Sequence, residues 1–311
     1  MRKSFHALAL FFTVAIFLGT AVSPRAQGQT TPVTTVVTVL GPNYTPPPAI
    51  SKDDISVYEG KTKKEVSSWV PAQGDKAALQ LAIVIDDGTN SNIGLQFNDI
   101  KSFITSQPKA TAVGLFYASN GDVQPASQFS TDHEAVAKTL RLPFGNFGAY
   151  SSIYLSTMSL IKRWPPMEGS RREILLIADG IDRFRGDPFS PDIQSTYEAA
   201  EKAGVILHTL YATGVGRLAR NMFRVNYGQS NLAEIADKTG GESFFQGLQT
   251  PIAFAPFLQQ LDMILKNQYW LGWNTNPPTK GKGDLRRFRI KTELKNVEIS
   301  SADSVWVTGP K

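Results

Sequence analysis

The chain has 311 residues, of which 41% are hydrophobic and 19% charged, proportions typical of an ordinary globular protein. It contains no cysteine, which excludes disulfides, thiolate nucleophiles and zinc–thiolate sites, and its three histidines are too few for histidine-rich catalysis. The formal net charge of +5 falls to +2 if Arg2, Lys3 and Arg25 are removed with a leader, because 29 basic residues then face 27 acidic ones. Overall charge therefore gives no support to a nucleic-acid partner.

Residues 1–26 are predicted to be a secretory signal peptide. Arg2 and Lys3 precede an almost uninterrupted apolar run from Ala7 to Leu18, and small residues follow near the expected cleavage point. The run is shorter than the roughly 20 residues of a membrane span, which favours cleavage over a permanent anchor. The mature chain is predicted to be exported, to the periplasm, the outer surface or the medium, with membrane contact only through the signal peptide. Export without disulfides fits a bacterial envelope.

A small β segment is predicted at each end of the mature chain. Residues 27–76 alternate Val with Thr in VTTVVTVL and then carry two shorter strand-like runs separated by turn residues. Residues 268–311 return to strand-like character after a final helix. These two segments are predicted to pack together or to flank the domain that lies between them.

Residues 77–267 alternate apolar strands with amphipathic helices. The runs LQLAIVI, ATAVGLFYA, REILLIA and GVILHTLYA are apolar nearly throughout, as strands covered on both faces must be. Ser190 and Gly204 are predicted to begin and end one helix, and Ser230 and Gly240 another. The pattern predicts an α/β fold with a doubly wound, mostly parallel, Rossmann-like sheet. Ligand sites in such folds lie beyond the carboxyl ends of the strands.

Three segments at the predicted strand ends carry small oxygen-bearing side chains. DDGTNS, residues 86–91, follows the first strand, Ser151 opens a helix after a glycine-rich loop, and Asp179 ends the strand in REILLIAD. Carboxylates and hydroxyls suit Mg²⁺ or Mn²⁺, and a Mg²⁺ ion that keeps several waters needs few protein ligands. The alternative interpretation is that these side chains only cap helices or lie favourably near a helix N-terminus.

In their order along the chain, these segments resemble a von Willebrand factor type A (VWFA) domain. The resemblance covers about residues 77–267 and is carried by LAIVIDDGTNS, IGLQFNDIKSFI, YSSIYLSTMSLI, REILLIADGID, AEKAGVILHTLYA and LAEIADKTGGESFF. The flanks resemble those of exported, VWFA-related bacterial proteins that are abundant in acidobacteria. The resemblance implies a non-enzymatic, adhesion-type module that binds a protein ligand.

The resemblance also implies a metal-ion-dependent adhesion site. The family builds it from an Asp-x-Ser/Thr-x-Ser loop, a Thr from a second loop and an Asp from a third, and an acidic side chain of the ligand completes the metal coordination. In one register of the first loop, Asp87, Thr89 and Ser91 satisfy the motif. This register also places Phe97, Ile100 and Phe103 at the apolar phases expected of the following helix.

The second register puts Asp86, directly at the strand end, in the ligand position. Gly88 and Asn90 then occupy the hydroxyl positions, so both hydroxyl ligands are missing and the loop is a metal-free remnant. In either register Ser151 stands where the family carries Thr, and Asp179 matches the third loop. The implied cofactor is therefore Mg²⁺ or Mn²⁺ in the first register, whereas metal affinity is doubtful in the second.

Two other functions remain open at this point. A metal-dependent phosphohydrolase also carries aspartates after the first strand, but its second carboxylate is missing at the expected spacing from both Asp86 and Asp87. A structural envelope protein could use the same fold without a metal. His208 is predicted to be a satisfied core residue and His133 to lie on a helix surface. Neither has a Gly-x-Ser-x-Gly motif nearby, which argues against a hydrolase triad.

Overall fold

A computed structural model of the chain describes residues 30–145, 150–164 and 167–309. The predicted signal peptide, residues 1–26, lies outside these ranges. Within them, none of the helices combines the length and the apolar character needed to cross a membrane. The described residues form a central α/β domain and a β module that is built from both ends of the chain.

The β module contains nine strands from the two terminal segments. They are β1 (Thr31–Leu40), β2 (Ile55–Glu59), β3 (Thr62–Lys64), β4 (Val66–Pro71), β11 (Gln268–Thr275), β12 (Gly283–Arg287), β13 (Arg289–Thr292), β14 (Glu298–Ser301) and β15 (Ser304–Thr308). One sheet has the order β14-β1-β11-β4, so strands from both ends of the chain alternate in it. Two smaller antiparallel sheets have the orders β13-β2-β3 and β12-β15. The domain boundaries at residues 76 and 267 stay predictions.

Within the described residues, the α/β domain has six strands and six helices. They are β5 (Leu79–Asp86), α1 (Phe97–Thr105), β6 (Thr111–Ser119), β7 (Asp122–Ser130), α2 (His133–Lys138), α3 (Ile153–Arg163), β8 (Arg171–Ala178), α4 (Pro191–Ala203), β9 (Val205–Tyr211), α5 (Met222–Thr239), β10 (Ser243–Phe244) and α6 (Ala255–Lys266). Alternate residues of β5 enter two cores, one shared with α1, α2 and α6 and the other with α3, α4 and α5. Helices therefore cover both faces of the sheet, as the apolar strands predict.

The strand order is β10-β9-β8-β5-β6-β7, and every neighbouring pair is parallel except β6 and β7. The first strand of the domain, β5, lies at the centre, and the chain runs outward from it first to one side and then, from β8 onward, to the other. The connections therefore diverge between β5 and β8, which is the topological switch point where open α/β sheets bind ligands. Asp86 ends β5 and Asp179 directly follows β8.

Three predicted helix termini are observed and one predicted start is wrong. Helix α4 begins after Ser190 and ends at Gly204, and α5 ends at Gly240. However, α5 begins at Met222, eight residues before the predicted start. In the sequence, Gly228 interrupts the helical pattern. Glycine is required there because a Cβ at this position would lie 2.2 Å from the backbone oxygen of Asp179, just after β8.

Arg171 joins the β module to the α/β domain. Its guanidinium donates from Nη2 to the carbonyl of Ala77 at 3.0 Å and from Nη1 to that of Leu265 at 2.8 Å, and it also contacts Gln268 of β11. Ala77, Leu265 and Gln268 lie next to the two predicted boundaries between the module and the domain. Because Arg171 opens β8, the module lies at the amino end of the sheet, away from the carboxyl edge.

Candidate functional site

Two buried carboxylates lie at the switch point. Asp86 is 7% exposed and its Oδ1 accepts a hydrogen bond from the N–H of Gly88 at 2.8 Å. Asp179 is 1% exposed and its Oδ1 accepts from the N–H of Ile181 at 3.0 Å. Burial, and then the negative charge of Asp179, raise the pKa of Asp86 to about 6, although Arg183 opposes the shift.

Arg183 lies between these carboxylates and the second loop. Its Nη1 and Nη2 donate to Oδ1 and Oδ2 of Asp179 at 3.0 and 2.5 Å, and its side chain is only 8% exposed. Burial opposes the charged form, but the charges of Asp179 and Asp86 raise the pKa of Arg183 above its ordinary value. The N–H groups of Arg183 and Phe184 donate to the carbonyl of Ser151 at 3.1 and 2.9 Å. The loop after β8 is thereby fixed to the start of α3.

Asp87 has a different environment from Asp86. Its two carboxylate oxygens accept from Nη1 and Nη2 of Arg141 at 2.7 and 2.9 Å, and Oδ1 also accepts from the N–H of Phe144 at 3.2 Å. The guanidinium of Arg141 stacks over the rings of Tyr117 and Phe144, 3.7 and 3.8 Å from their centroids. Asp87 therefore anchors the loop between α2 and α3 through an ion pair.

The hydroxyl and amide candidates of the first loop are dispersed. Thr89 is 1% exposed, and its Oγ1 has no hydrogen-bond partner among the described residues. Ser91 is exposed at the start of a 3-10 turn. The side chain of Asn90 accepts from the N–H of Asn92 at 2.9 Å and caps that turn. In the second register the loop therefore supplies no hydroxyl group. In the first register it supplies two, of which that of Thr89 is buried and that of Ser91 is exposed.

The implied metal ligands do not fit a divalent cation in this arrangement. Both oxygens of Asp179 are hydrogen-bonded to Arg183, and both oxygens of Asp87 to Arg141. The part of the chain that the structure describes contains no cluster of three or more acidic, histidine or cysteine side chains that could hold a metal. Among the described residues, the unpaired hydroxyl of Thr89 favours an additional ligand, and so does Oδ2 of Asp182, a buried oxygen in the loop after β8 without a hydrogen-bond partner. The assignment of Asp87, Thr89, Ser91, Ser151 and Asp179 as metal ligands stays a prediction.

Two arginines of this region escaped the sequence analysis. Arg183 lies four residues after Asp179, and an oppositely charged residue at this short spacing in a strand-end loop is a signal that could have identified it. Arg141 lies 54 residues from Asp87, and nothing in the intervening sequence indicates their contact. These two arginines form the ion pairs with Asp87 and Asp179.

Both histidines in the described part of the chain are buried and hydrogen-bonded. His208 is fully buried, with Nε2 2.8 Å from Oε2 of Glu173 and with Nδ1 accepting from the N–H of Glu242, so it is satisfied as predicted. The prediction that His133 lies on a helix surface is wrong. It is 8% exposed, and its Nε2 is 2.8 Å from the carbonyl of Thr111, because the short helix α2 packs directly on β6.

Most of the large exposed apolar side chains lie in segments that follow the carboxyl ends of the strands, and we call this set the aromatic rim. We define it as the large exposed apolar side chains in the loops and helix starts at the carboxyl edge. They are Leu95, Leu142, Phe144, Tyr150, Phe184, Phe189, Leu218, Met222, Phe223, Tyr227, Phe245 and Ile252. Ring centroids are 5.2 Å apart in the pair Tyr150–Phe184 and 5.3 Å apart in Phe189–Tyr227. Among the described residues, only Val70 and Met167 are comparably exposed large apolar residues elsewhere.

The doubly wound sheet with carboxylates at its switch point confirms the predicted fold class, and the solved structures similar to the chain include VWFA proteins. A VWFA protein from Catenulispora acidiphila has a TM-score of 0.43 and 9% identity, covering 92% of this chain and 76% of that one. Manganese-loaded TRAP protein from Plasmodium vivax has a TM-score of 0.43 and 11% identity, with 80% and 98% covered. An aerotolerance-related membrane protein from Bacteroides fragilis has a TM-score of 0.46 and 13% identity, with 60% and 98% covered. No protein-family model and no curated protein matches the chain.

Proposed function

We propose that this chain is an exported, non-enzymatic module that binds a protein through the carboxyl edge of its α/β sheet. The aromatic rim is the observation that carries the proposal. Soluble proteins rarely expose large contiguous apolar patches unless they bind something there. Aromatic, Met and Arg side chains are also the residue types enriched in protein interfaces. Export is supported by the sequence of residues 1–26.

The charge of the rim supports a partner that offers acidic as well as apolar groups. Residues 213–227, which connect β9 to α5 and form its first turns, contain three arginines and no acidic residue. Arg217 and Arg220 are exposed beside the apolar side chains of Leu218, Met222 and Phe223. A guanidinium binds a carboxylate through two parallel hydrogen bonds. An acidic ligand group can therefore be received by arginine without a metal.

The surroundings of the strand ends support binding over catalysis. Both histidines that the structure describes are buried and hydrogen-bonded away from the carboxyl edge, and the chain has no cysteine. A phosphohydrolase would need a second strand-end carboxylate beside Asp86, whereas both oxygens of Asp87 are hydrogen-bonded to Arg141 and both oxygens of Asp179 to Arg183. Dependence on Mg²⁺ or Mn²⁺ is the part of the sequence prediction that this geometry supports least.

A capture experiment with matched variants tests the proposal. The mature chain is immobilised, proteins retained from envelope extract are identified, and the dissociation constant of the purified partner is measured in Mg²⁺ and in EDTA. Truncation of an interface anchor costs at least about 1.4 kcal/mol, or tenfold in Kd. Phe223→Ser combined with Arg220→Ser is expected to weaken binding by tenfold or more. Met167→Ser, an exposed position outside the rim, is the control and is expected to change Kd less than twofold.

Equal binding by the rim variant and the wild type, both folded, would place the interface elsewhere and contradict the proposal. A screen of phosphoesters in Mg²⁺ provides the second test. Turnover by the wild type that is abolished in Asp86→Asn would show an enzyme and replace the binding hypothesis with the phosphohydrolase.

A further inference from the structure

Two carboxylates buried at neighbouring strand ends require a positive charge. Asp86 and Asp179 are 7% and 1% exposed, and the strands that carry them, β5 and β8, pair directly. Buried carboxylates are stable as anions only when they are paired and hydrogen-bonded. In a metal-ion-dependent adhesion site, a divalent cation meets this requirement.

Here the guanidinium of Arg183 meets it. Its two terminal nitrogens bind the two oxygens of Asp179 at 3.0 and 2.5 Å, which is the bidentate geometry in which arginine and carboxylate pair most strongly. The side chain is 8% exposed, so water competes little for these bonds. The backbone N–H of Arg183 also donates to the carbonyl of Ser151, at 3.1 Å. One residue thus links the second and third loops of the site.

Gly214 leaves room for the ion pair between Arg183 and Asp179 because it has no side chain. A Cβ at this position would lie 2.1 Å from Oδ2 of Asp179 and 2.5 Å from Nη2 of Arg183. Gly214 also forms a backbone bridge with Thr89, so the loop after β9 covers the pair and touches the first loop. The site is shaped around a planar guanidinium, and a side chain at residue 214 would displace it.

We propose that Arg183 is a built-in cation that takes the place of the divalent metal in this adhesion-type site. The three strand-end loops then keep their arrangement without Mg²⁺ or Mn²⁺. Removing the guanidinium leaves Asp86 and Asp179 without their counter-charge, and a divalent ion can then occupy the position between the loops. The charge balance of this site does not depend on a bound partner. Its test is therefore independent of the capture experiment.

Metal titration of three folded proteins tests it. Wild type, Arg183→Ser and Arg185→Ser are titrated with Mn²⁺ and then Mg²⁺ by calorimetry, and their Tm is measured in metal and in EDTA. Wild type is expected to show no saturable heat and no shift of Tm. Arg183→Ser is expected to bind one Mn²⁺ and to show a saturable rise of Tm. Arg185→Ser, which removes a neighbouring arginine paired with Asp192, is expected to behave like wild type.

Two results would overturn the proposal. The first is saturable Mn²⁺ binding by the wild type that disappears in Asp179→Asn, since the metal would then displace the arginine. The second is a folded Arg183→Ser protein that binds no metal. If Arg183→Ser does not fold, Arg183→Gln, which keeps hydrogen-bond donors toward Asp179, is titrated instead under the same criteria. Refolding of either variant in Mn²⁺ but not in EDTA supports the proposal.

Discussion

Replacement of Arg141 by Met is expected to destabilise the protein by about 2–3 kcal/mol. The side chain of Asp87 is 6% exposed, and it would lose two hydrogen bonds of 2.7 and 2.9 Å and its ion pair with Arg141. Breaking one side of a buried pair costs about 3–5 kcal/mol, and we lower this range because the side chain of Arg141 is 32% exposed and partly screened by water. Asp87→Asn should cost less, about 1 kcal/mol, because Arg141 can turn to solvent.

Urea unfolding at pH 7 measures these changes, and the double variant completes a thermodynamic cycle. A bidentate charged pair predicts a coupling energy of about 1.5–3 kcal/mol between Asp87→Asn and Arg141→Met. Arg163→Met is the matched control, because Arg163 pairs with Asp122 where the two side chains are 53% and 43% exposed. An exposed pair of this kind is worth about 0.2–1 kcal/mol.

The reasoning would be refuted if Arg141→Met cost no more than Arg163→Met, or if the coupling energy were below about 0.5 kcal/mol. Asp87 would then not be held by Arg141 in solution. Its carboxylate would be available beside the unpaired hydroxyl of Thr89, and the first register of the metal site would regain support.

Two further predictions concern the ends of the sheet. Burial raises the pKa of Glu201 to about 7 from an ordinary 4.5, although hydrogen bonds to Ser304 oppose the shift. The folded state therefore binds more protons than the unfolded one between these values, and its stability should fall as pH rises from about 4.5 to about 7. Urea unfolding at pH 5 and 8 should show this decline in wild type and a smaller one in Glu201→Gln; equal declines would contradict it. Gly214→Ala should cost at least about 1–3 kcal/mol because its Cβ meets Asp179 at 2.1 Å. Gly94→Ala is the control, since its Cβ meets only the end of the exposed Leu142 side chain, and equal Tm values for the two variants would refute the clash.

The fold class could be predicted because strands that are buried on both faces have apolar side chains at nearly every position. Every residue of β5 and β9 is buried, and their runs are apolar nearly throughout. The edge strand β7, DVQPASQFS, escaped prediction because one of its sides has no neighbouring strand and its side chains are mostly polar and partly exposed. Pro125 is tolerated there for the same reason.

The register of the first loop could not be predicted from helix phase. Ile100 and Phe103 are buried in α1, as the phase argument expects. However, a six-residue 3-10 turn, Ser91–Gln96, separates this helix from the aspartates. The turn can absorb a shift of one residue between the aspartates and α1. The apolar phase of α1 therefore does not show which aspartate faces the site. That choice depends on Arg141 and Arg183, whose contacts are tertiary.

The pairing of β1 with β11 also bears on how the chain is made. Thr31 lies opposite Thr275 and Thr38 opposite Gln268, so β1 is synthesised well before the strand with which it pairs. Contacts between such distant segments slow folding, and a waiting strand can pair with other chains. The run TPVTTVVTVL carries no charge to discourage that pairing. Until β11 emerges, the nascent chain therefore carries an unpaired, uncharged strand that can pair with other chains.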